Sequence, residues 1–271
     1  MNEATGAAQA TEETEVHTRV LRLALGVEES RAYWANVDLS VPAAPRAIAA
    51  FEQRWFGAKS LERVRTLLAN FAARYDAFPE AFAVLRRWPD MDPQTRKVIC
   101  HWHLQLSDAL YRGFSGRFLV ERRASGNPAI DRDIVLRWVQ RSHPERWGAA
   151  TGIQFASKLL SAGSEAGLFT PKKDPRQLLL PKVPDLALAY LLYLLRSVGF
   201  EGTLLDNPYL ASVGLDGGFL EQRLRGLPGL TFRRMGDVVD FEWGAPSLSA
   251  WAELTFGARR DAQGSAPGDA A

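Results

Sequence analysis

Apolar residues recur at spacings of three and four along the segment 94–119, which places them on one side of an α-helix. These apolar positions are Val98, Trp102, Leu106, Leu110 and Phe114. The other side of the same helix carries Arg96, Lys97, His103, Asp108 and Arg112. Asp92 and Pro93 precede the segment as an N-cap and a first-turn proline. The pattern predicts one long amphipathic helix, around which we expect the rest of the chain to be organised.

The same periodicity predicts shorter helices before and after this segment. They cover 18–24, 28–37, 46–56, 59–75 and 79–88, then 131–141 and 145–166. From residue 168 onward, short β-prone runs appear next to turn-forming residues. Runs 168–170 and 178–180 flank the basic stretch 171–176, which predicts a hairpin. Helices at 186–198, 207–213 and 217–227 then precede a second predicted hairpin, 230–234 and 238–243.

Helices followed by a hairpin are the order of a winged helix-turn-helix, so the sequence predicts two winged-helix-like units. The expected fold class is mainly α, a helical bundle with winged-helix-like units carrying short β-hairpins. The expected division of the chain is a disordered acidic tail at 1–15, a helical amino-terminal domain at 16–125, a winged-helix-like region at 126–256 and a disordered tail at 257–271.

The formal net charge of +2 conceals an uneven distribution of charge along the chain. Residues 1–15 contain Glu3, Glu12, Glu13 and Glu15 and no basic residue. The remainder is therefore more basic, and it is richer in Arg, whose planar group suits bidentate contacts with phosphate and guanine. Genomic base composition also enriches Arg, together with Ala and Gly. Composition alone does not separate the two explanations.

The predicted units supply candidate residues for binding double-stranded DNA. Those of the second unit are Gln222, Arg223, Arg225, Arg233 and Arg234, with Phe219, Leu220 and Leu224 expected to pack inward. Those of the first unit are Lys158 beside Ser157, then Lys172, Lys173 and Arg176 at the hairpin tip. Gln and Arg on a helix read base edges in the major groove, and the other basic groups contact phosphates. The alternative is a solvated basic surface on helices that dock a partner protein.

The sequence contains no pattern typical of catalysis or of a bound cofactor. His101 and His103 are two residues apart, about 200° around a helix, so they cannot hold one metal ion together. The single cysteine, Cys100, excludes a cysteine-rich zinc site. Phosphate-binding loops, dinucleotide fingerprints and nucleophile elbows do not occur. We therefore expect no enzyme, no catalytic or metal-binding residues, no cofactor and no small-molecule substrate, although a site assembled from distant residues stays open.

The most apolar run, 186–195, is about half as long as a membrane-crossing helix, so it is expected to be a buried helix. The first residues are acidic and lack the apolar stretch of a secretory leader. A single cysteine suits a reducing compartment. The expected location is the cytoplasm, with no membrane partner.

The segments 96–118, 132–169 and 189–210 resemble the BrxA family of BREX phage-defence systems in helix order and apolar pattern. The resemblance extends over roughly residues 16–251. It implies a small, mainly helical, non-enzymatic protein with helix-turn-helix or winged-helix parts that binds DNA. It also implies action beside the methyltransferase, ATPase and phosphatase-like proteins of a bacterial defence system. The rival expectation is an adaptor that docks proteins of the same complex through apolar helix faces.

Overall fold

The computed structural model describes residues 9–171 and 173–264, and it confirms the mainly α fold class with short hairpins. The helices are α1 Arg19–Arg22, α2 Val27–Asn36, α3 Ala43–Glu52, α4 Leu61–Phe71, α5 Pro79–Arg87, α6 Pro93–Ser107, α7 Ala109–Gly113, α8 Leu119–Ala124, α9 Arg132–Ser142, α10 Ala149–Ala166, α11 Asp185–Ser197, α12 Pro208–Ser212, α13 Gly217–Arg225 and α14 Leu248–Gly264. Turns of π-helix follow α4 at Ala72–Asp76 and α7 at Phe114–Phe118. The strands are β1 Ala129–Ile130, β2 Arg176–Gln177, β3 Leu230–Met235 and β4 Val238–Trp243.

Polar side chains at the helix starts explain why several helices begin where they do. Asp92 accepts hydrogen bonds from the backbone N–H groups of Gln94 and Thr95, and Pro93 occupies the first position of α6, as predicted. Asp131 caps α9 in the same way through the N–H of Ile134. Each cap satisfies N–H groups that have no partner within the helix.

The single long helix predicted over 94–119 is wrong, because it is interrupted at Asp108. Asp108 has extended backbone angles (φ −148, ψ 102), and its carboxylate accepts a hydrogen bond from the N–H of Tyr111. α6 therefore ends at Ser107, and the chain restarts as α7, a π-helical turn and α8, which runs past the predicted end to Ala124. An aspartate competes with the helix by capping a new one, and apolar spacing does not reveal this.

The polar side of α6 is buried, because α6 lies at the centre of the molecule in contact with α2, α7, α10 and α11. His101 shares hydrogen bonds with Tyr111 (Nδ1 to the hydroxyl oxygen, 2.8 Å) and Ser212 (Nε2 to Oγ, 2.9 Å). His103 shares one with Tyr190 (Nε2 to the hydroxyl oxygen, 2.7 Å). Burial lowers the pKa of both histidines to about 3, so both are neutral at physiological pH.

In place of the expected disordered acidic tail, residues 9–15 form an ordered segment that packs against the helices; residues 1–8 lie outside the described residues. Thr11 pairs in parallel with Gly199, and the backbone N–H of Glu13 donates to the Leu106 carbonyl at the end of α6. Glu12 is buried, forms an ion pair with Arg112 (3.4 Å), and accepts a hydrogen bond from the Tyr209 hydroxyl. Residues 9–17 are called the strap below.

The strap joins two helix-and-hairpin units. The first unit, residues 126–180, contains β1, α9, α10 and β2, and the second, residues 185–243, contains α11, α12, α13, β3 and β4. The strap meets the second unit at Gly199 and Tyr209, and it meets the first where Arg146 donates to the Val16 carbonyl (2.7 Å). Buried residues on both sides of position 125 belong to one hydrophobic cluster. The domain boundary at 125/126 stays a prediction.

In place of the expected disordered tail at 257–271, α14 continues to Gly264, and residues 265–271 lie outside the described residues. α14 returns to the helical half of the chain and packs on α5. The Glu80 carboxylate accepts from the N–H of Ser249 (2.8 Å), and Arg87 donates to the Ser249 carbonyl (2.9 Å). Within the residues that the structure describes, none of the helices combines the length and apolar character needed to span a membrane.

Candidate nucleic-acid interface

The first unit places α10 beside a three-part sheet. β1 and β2 are antiparallel, and Phe169 pairs with Leu178 on the other side of β2. The predicted runs 168–170 and 178–180 are thus joined by one isolated bridge rather than by two full strands. The longer pairing is that of β2 with β1 at 129–130, which the sequence did not predict. Gly163 of α10 lies against the Phe169 ring, where a Cβ would come within 2.5 Å of the ring carbon Cε1. The hairpin therefore rests directly on α10.

An open cleft of about 530 Å³ lies between the start of α9, the middle of α10 and the hairpin tip. Arg132, Ser157 and Arg176 line it, one from each of these elements. Asp131, Asp133 and Asp174 also line it. Two of these carboxylates have partners, because Asp131 caps α9 and Asp174 pairs with Arg176 (2.9 Å). The cleft therefore presents both signs of charge.

The basic candidates of the first unit differ in how tightly they are held. Lys173 is exposed and Lys158 is half-buried, and neither forms an ion pair within residues 9–171 and 173–264. Arg176 is held by Asp174, by the Leu160 carbonyl (3.3 Å) and by the Phe169 ring, so it fixes the tip to α10. Lys172 lies outside the described residues. Lys158 and Lys173 are thus the candidates able to reach a phosphate.

The second unit has the hairpin that the sequence predicted. β3 and β4 pair in register from Leu230 with Trp243 to Met235 with Val238, around Gly236 and Asp237. α13 contacts β3, and its inward side chains include Leu220 and Leu224, as predicted. The predicted inward position of Phe219 is wrong, because 55% of its surface is exposed. The glycines at 217 and 218 start the helix at the surface and leave Phe219 on its outer side.

All four arginine candidates of the second unit form ion pairs. Arg223 binds Asp185 (2.6 Å) and the Val183 carbonyl at the start of α11. Arg225 pairs with Glu221 along α13 (3.4 Å), and Glu221 also binds Arg234 on the hairpin. Arg233 pairs across the strands with Glu242 (3.5 Å). Gln222 is exposed. The arginines expected to face DNA therefore all have carboxylate partners, and Arg223 also anchors α13 to α11.

Sequence reasoning missed Arg132, which is exposed and lines the cleft of the first unit without an ion pair among the described residues. Arg132 directly follows the N-cap Asp131, and the sequence alone does not show that this first residue of α9 faces the hairpin. Arg137 and Arg141, also exposed and without ion pairs in the part of the chain described, lie further along α9. Their spacing of four residues places them on one side of α9, and that spacing is visible in the sequence.

Within the described ranges, no group of three or more His, Cys, Asp or Glu side chains is arranged to hold a metal ion. His143, at the end of α9, packs against Trp147, and burial together with Arg146 lowers its pKa. The first unit therefore offers an open surface on which several guanidinium and ammonium groups have no ion pair among the described residues. Such groups attract a polyanion.

Comparisons with known proteins give a structural likeness but no family. No protein-family profile matches the chain, and no curated protein matches it. Among solved structures, the chain is similar to the crystal structure of an uncharacterized protein from Magnetospirillum magneticum. The two are 17% identical with a TM-score of 0.49, over 65% of this chain and 91% of the other.

Proposed function

We propose that this chain is a non-enzymatic protein that binds double-stranded DNA through its first unit. We further propose that it acts in the bacterial cytoplasm, beside the other proteins of a BREX-like phage-defence system. The resemblance of residues 96–118, 132–169 and 189–210 to the BrxA family supports the defence role.

The arrangement of the first unit supports the DNA-binding role. Strand, helix, helix and hairpin follow one another as β1, α9, α10 and 168–178, with β2 central in the small sheet. This is the order of a winged helix, in which the second helix, here α10, enters the major groove. The outer side of α10 carries Ile153, Gln154, Ser157 and Ser161. A glutamine at such a position reads adenine, and serines allow the helix to approach the phosphates closely.

The observation that carries the proposal is the set of basic side chains of the first unit that have no ion pair. Arg132 starts α9, Lys158 lies on α10 and Lys173 on the hairpin, and none of the three forms an ion pair within the described residues. In residues 126–180, basic residues outnumber acidic ones, whereas acidic residues outnumber basic ones in residues 216–243. Phosphate binding requires positive groups that are not already neutralised, because the favourable free energy comes from releasing counterions from the DNA.

The test compares two double variants with the same change in charge. Lys158→Glu/Lys173→Glu alters the first unit, and Arg225→Glu/Arg233→Glu alters the second. Fluorescence anisotropy of a generic duplex measures affinity at about 50 and 200 mM salt. We expect the first variant to bind about 100-fold more weakly at low salt and to lower the slope of log K against log salt by about 2. The second variant should stay within about threefold of the parent protein.

If both variants lost the same affinity for the duplex, the loss would follow from the change in net charge alone, which would contradict binding at the first unit. Unchanged binding by the first variant would also contradict it. Circular dichroism on both variants verifies that each retains its helices, so that a loss of affinity is not a loss of folding.

The second candidate function is an adaptor for other proteins of the same system, and the hairpin of the second unit favours it. The side chains of Met235 and Val238 at its tip are 78% and 66% exposed, and Phe219 is exposed on α13. Apolar side chains exposed in this way are typical of protein docking surfaces. A salt-insensitive association that is lost in Met235→Ser/Val238→Ser but kept in Lys158→Glu/Lys173→Glu would support the adaptor role.

A further inference from the structure

A second cleft, of about 320 Å³, lies in the helical half of the chain between α2, α5 and the turn before α6. Its floor is apolar and consists of Trp34, Leu85, Trp88 and Met91. Three arginines line it, Arg31 from α2, Arg86 from α5 and Arg96 from α6. None of these residues belongs to either unit, so the cleft is independent of the proposed DNA surface.

Trp34 is buried, yet its polar atom has no partner. Its ring is 4% exposed, and its indole Nε1–H has no hydrogen-bond partner among the described residues, one of six buried side-chain atoms of which this is true. A buried donor without a partner has lost its hydrogen bonds to water without compensation, so a ligand acceptor would stabilise it. Trp55 provides a contrast, because its Nε1–H donates to Gln53 (2.9 Å). Trp34 is one of the residues that line this cleft of ligand size, so a molecule bound against the indole would bring an acceptor close to the buried donor.

The arginines of this cleft are only weakly neutralised. Glu28 bridges Arg31 (3.1 Å) and Arg96 (3.0 Å), but its own side chain is 66% exposed. Arg86 lies over the Phe82 ring and forms no ion pair within residues 9–171 and 173–264. Asp90 is the one carboxylate among the residues that line the cleft. Three guanidinium groups against Asp90 and the exposed Glu28 leave a net positive charge, which favours an anionic ligand.

We propose that this cleft binds an organic phosphate of about the size of a nucleoside monophosphate. The guanidinium groups of Arg31, Arg86 and Arg96 bind the phosphate, and Arg31 and Arg96 exchange their contacts with the exposed Glu28 for contacts with the ligand. The indole N–H of Trp34 donates to a ligand oxygen. The rest of the ligand covers Leu85 and Met91 on the apolar floor.

Isothermal titration calorimetry of the full chain with adenosine 5′-monophosphate, inorganic phosphate and adenosine tests the proposal. We expect saturable binding of the nucleotide, weaker binding of inorganic phosphate and the weakest binding of adenosine, because the phosphate provides most of the contacts. Trp34→Phe keeps a ring and removes the donor, and it should weaken nucleotide binding about tenfold. Arg86→Gln and Arg31→Gln should each weaken it by at least as much.

Matched variants outside the cleft serve as controls. Arg65 pairs with Glu62 three residues earlier on α4, as Arg31 does with Glu28 on α2, so Arg65→Gln should bind the nucleotide like the parent chain. Trp55→Phe is the corresponding control for Trp34→Phe. The exposed position of Arg31 keeps the test valid if the Trp34 variant fails to fold.

Two results would overturn the proposal. The first is the absence of nucleotide binding at millimolar concentration; weaker duplex binding by Arg31→Gln and Arg86→Gln would then assign the cleft to the DNA surface instead. The second is nucleotide binding that Arg31→Gln and Arg86→Gln leave unchanged. Loss of duplex binding in Lys158→Glu/Lys173→Glu with nucleotide binding intact would separate the two sites.

Discussion

Both helix-and-hairpin units place helices before a hairpin, but their basic residues have different environments. In the first unit Arg132, Lys158 and Lys173 form no ion pairs among the described residues, and Arg132 lines an open cleft. In the second unit every candidate arginine has a carboxylate partner, and the hairpin tip is apolar at Met235 and Val238. The two units thus present different surfaces, one with basic groups that lack ion pairs and the other with an apolar hairpin tip.

The difference teaches that the number of basic residues in a motif is a weak guide to what it binds. Glu221 neutralises Arg225 on the same helix and Arg234 on the hairpin, so a single acidic residue on α13 changes the character of that face. In the first unit, the corresponding outer side of α10 carries serines and Gln154 where α13 carries Glu221.

The largest expected effect concerns the strap, on which the arrangement of the two units depends. Arg112→Ala removes the partner of the buried Glu12, and it also removes hydrogen bonds to the carbonyls of Gln105 and Glu13 (2.7 Å each). Leaving a buried charge unpaired should cost about 3–5 kcal/mol of unfolding free energy, measured by urea denaturation. Arg117→Ala breaks an exposed pair with Glu201 and should cost less than about 1 kcal/mol. Equal losses of unfolding free energy in Arg112→Ala and Arg117→Ala would mean that the buried pair of the strap stabilises the fold no more than an exposed pair does.

Acid should weaken the attachment of the second unit. His101 has an ordinary pKa of 6.5 that burial, aided by Arg123, lowers to about 3 in the folded chain. Because the folded state resists protonation, the stability is complete above pH 6.5 and falls as the pH decreases toward 3. Between pH 7 and pH 5, His101 should account for about 2 kcal/mol of lost unfolding free energy.

The His101→Gln variant isolates this effect. In urea denaturation, the unfolding free energy that the variant loses between pH 7 and pH 5 should be about 2 kcal/mol smaller than the loss in the parent chain. The control is His143→Gln in the first unit, where the pKa is lowered at a half-buried position and the change should be smaller. The same pH dependence in His101→Gln as in the parent chain would contradict the assignment.

A pair of glycines compares the packing of the two units. In Gly163→Ala the new Cβ would meet the Phe169 ring at 2.5 Å, so the hairpin of the first unit has to shift away from α10. Such overpacking should cost about 1–3 kcal/mol. In the second unit, a Cβ at Gly226 has no neighbour nearer than 3.9 Å, and Gly226→Ala should change stability by less than about 0.5 kcal/mol. Thermal denaturation of both variants measures the difference in stability. If Gly163→Ala were as stable as the parent chain, the hairpin of the first unit would be only loosely packed against α10.

The smallest expected effect is that of Phe219→Ser on α13. The ring is more than half exposed, so the unfolding free energy should change by less than about 0.5 kcal/mol and duplex affinity should not change. If the second unit docks a protein, the same substitution should weaken that association. A large loss of stability would show that Phe219 packs inward after all.

Much of the fold could be predicted from the sequence, because most helices carry their own local causes. Gly26 in the left-handed conformation separates α1 from α2, Asp92 and Pro93 start α6, and Gly167 ends α10, and all of these are visible as residue types. The second hairpin follows from alternation around Gly236. The interruption at Asp108 could not be predicted from apolar spacing, because its cause is the hydrogen bond by which the Asp108 carboxylate caps a new helix at Tyr111.

The candidate surface was predicted less well than the fold, for a physical reason. Sequence periodicity shows which side of a helix faces outward, but it does not show which carboxylates reach that side from elsewhere. Asp185 lies 38 residues before Arg223, and Glu242 lies on the strand opposite Arg233. Both pairings depend on tertiary structure. The cleft of the first unit, lined by Arg132 and Arg176, likewise exists only after α9, α10 and the hairpin have come together.

The pairing of Thr11 with Gly199 has a consequence for the order in which the protein assembles during synthesis. The ribosome delivers the strap first, yet its partners at Gly199, Glu201 and Tyr209 emerge almost two hundred residues later. Until then the Glu12 carboxylate stays in water and the end of α6 has no covering strand. Closing this pairing is therefore among the last events of folding, and the nascent helical half has to remain intact without it.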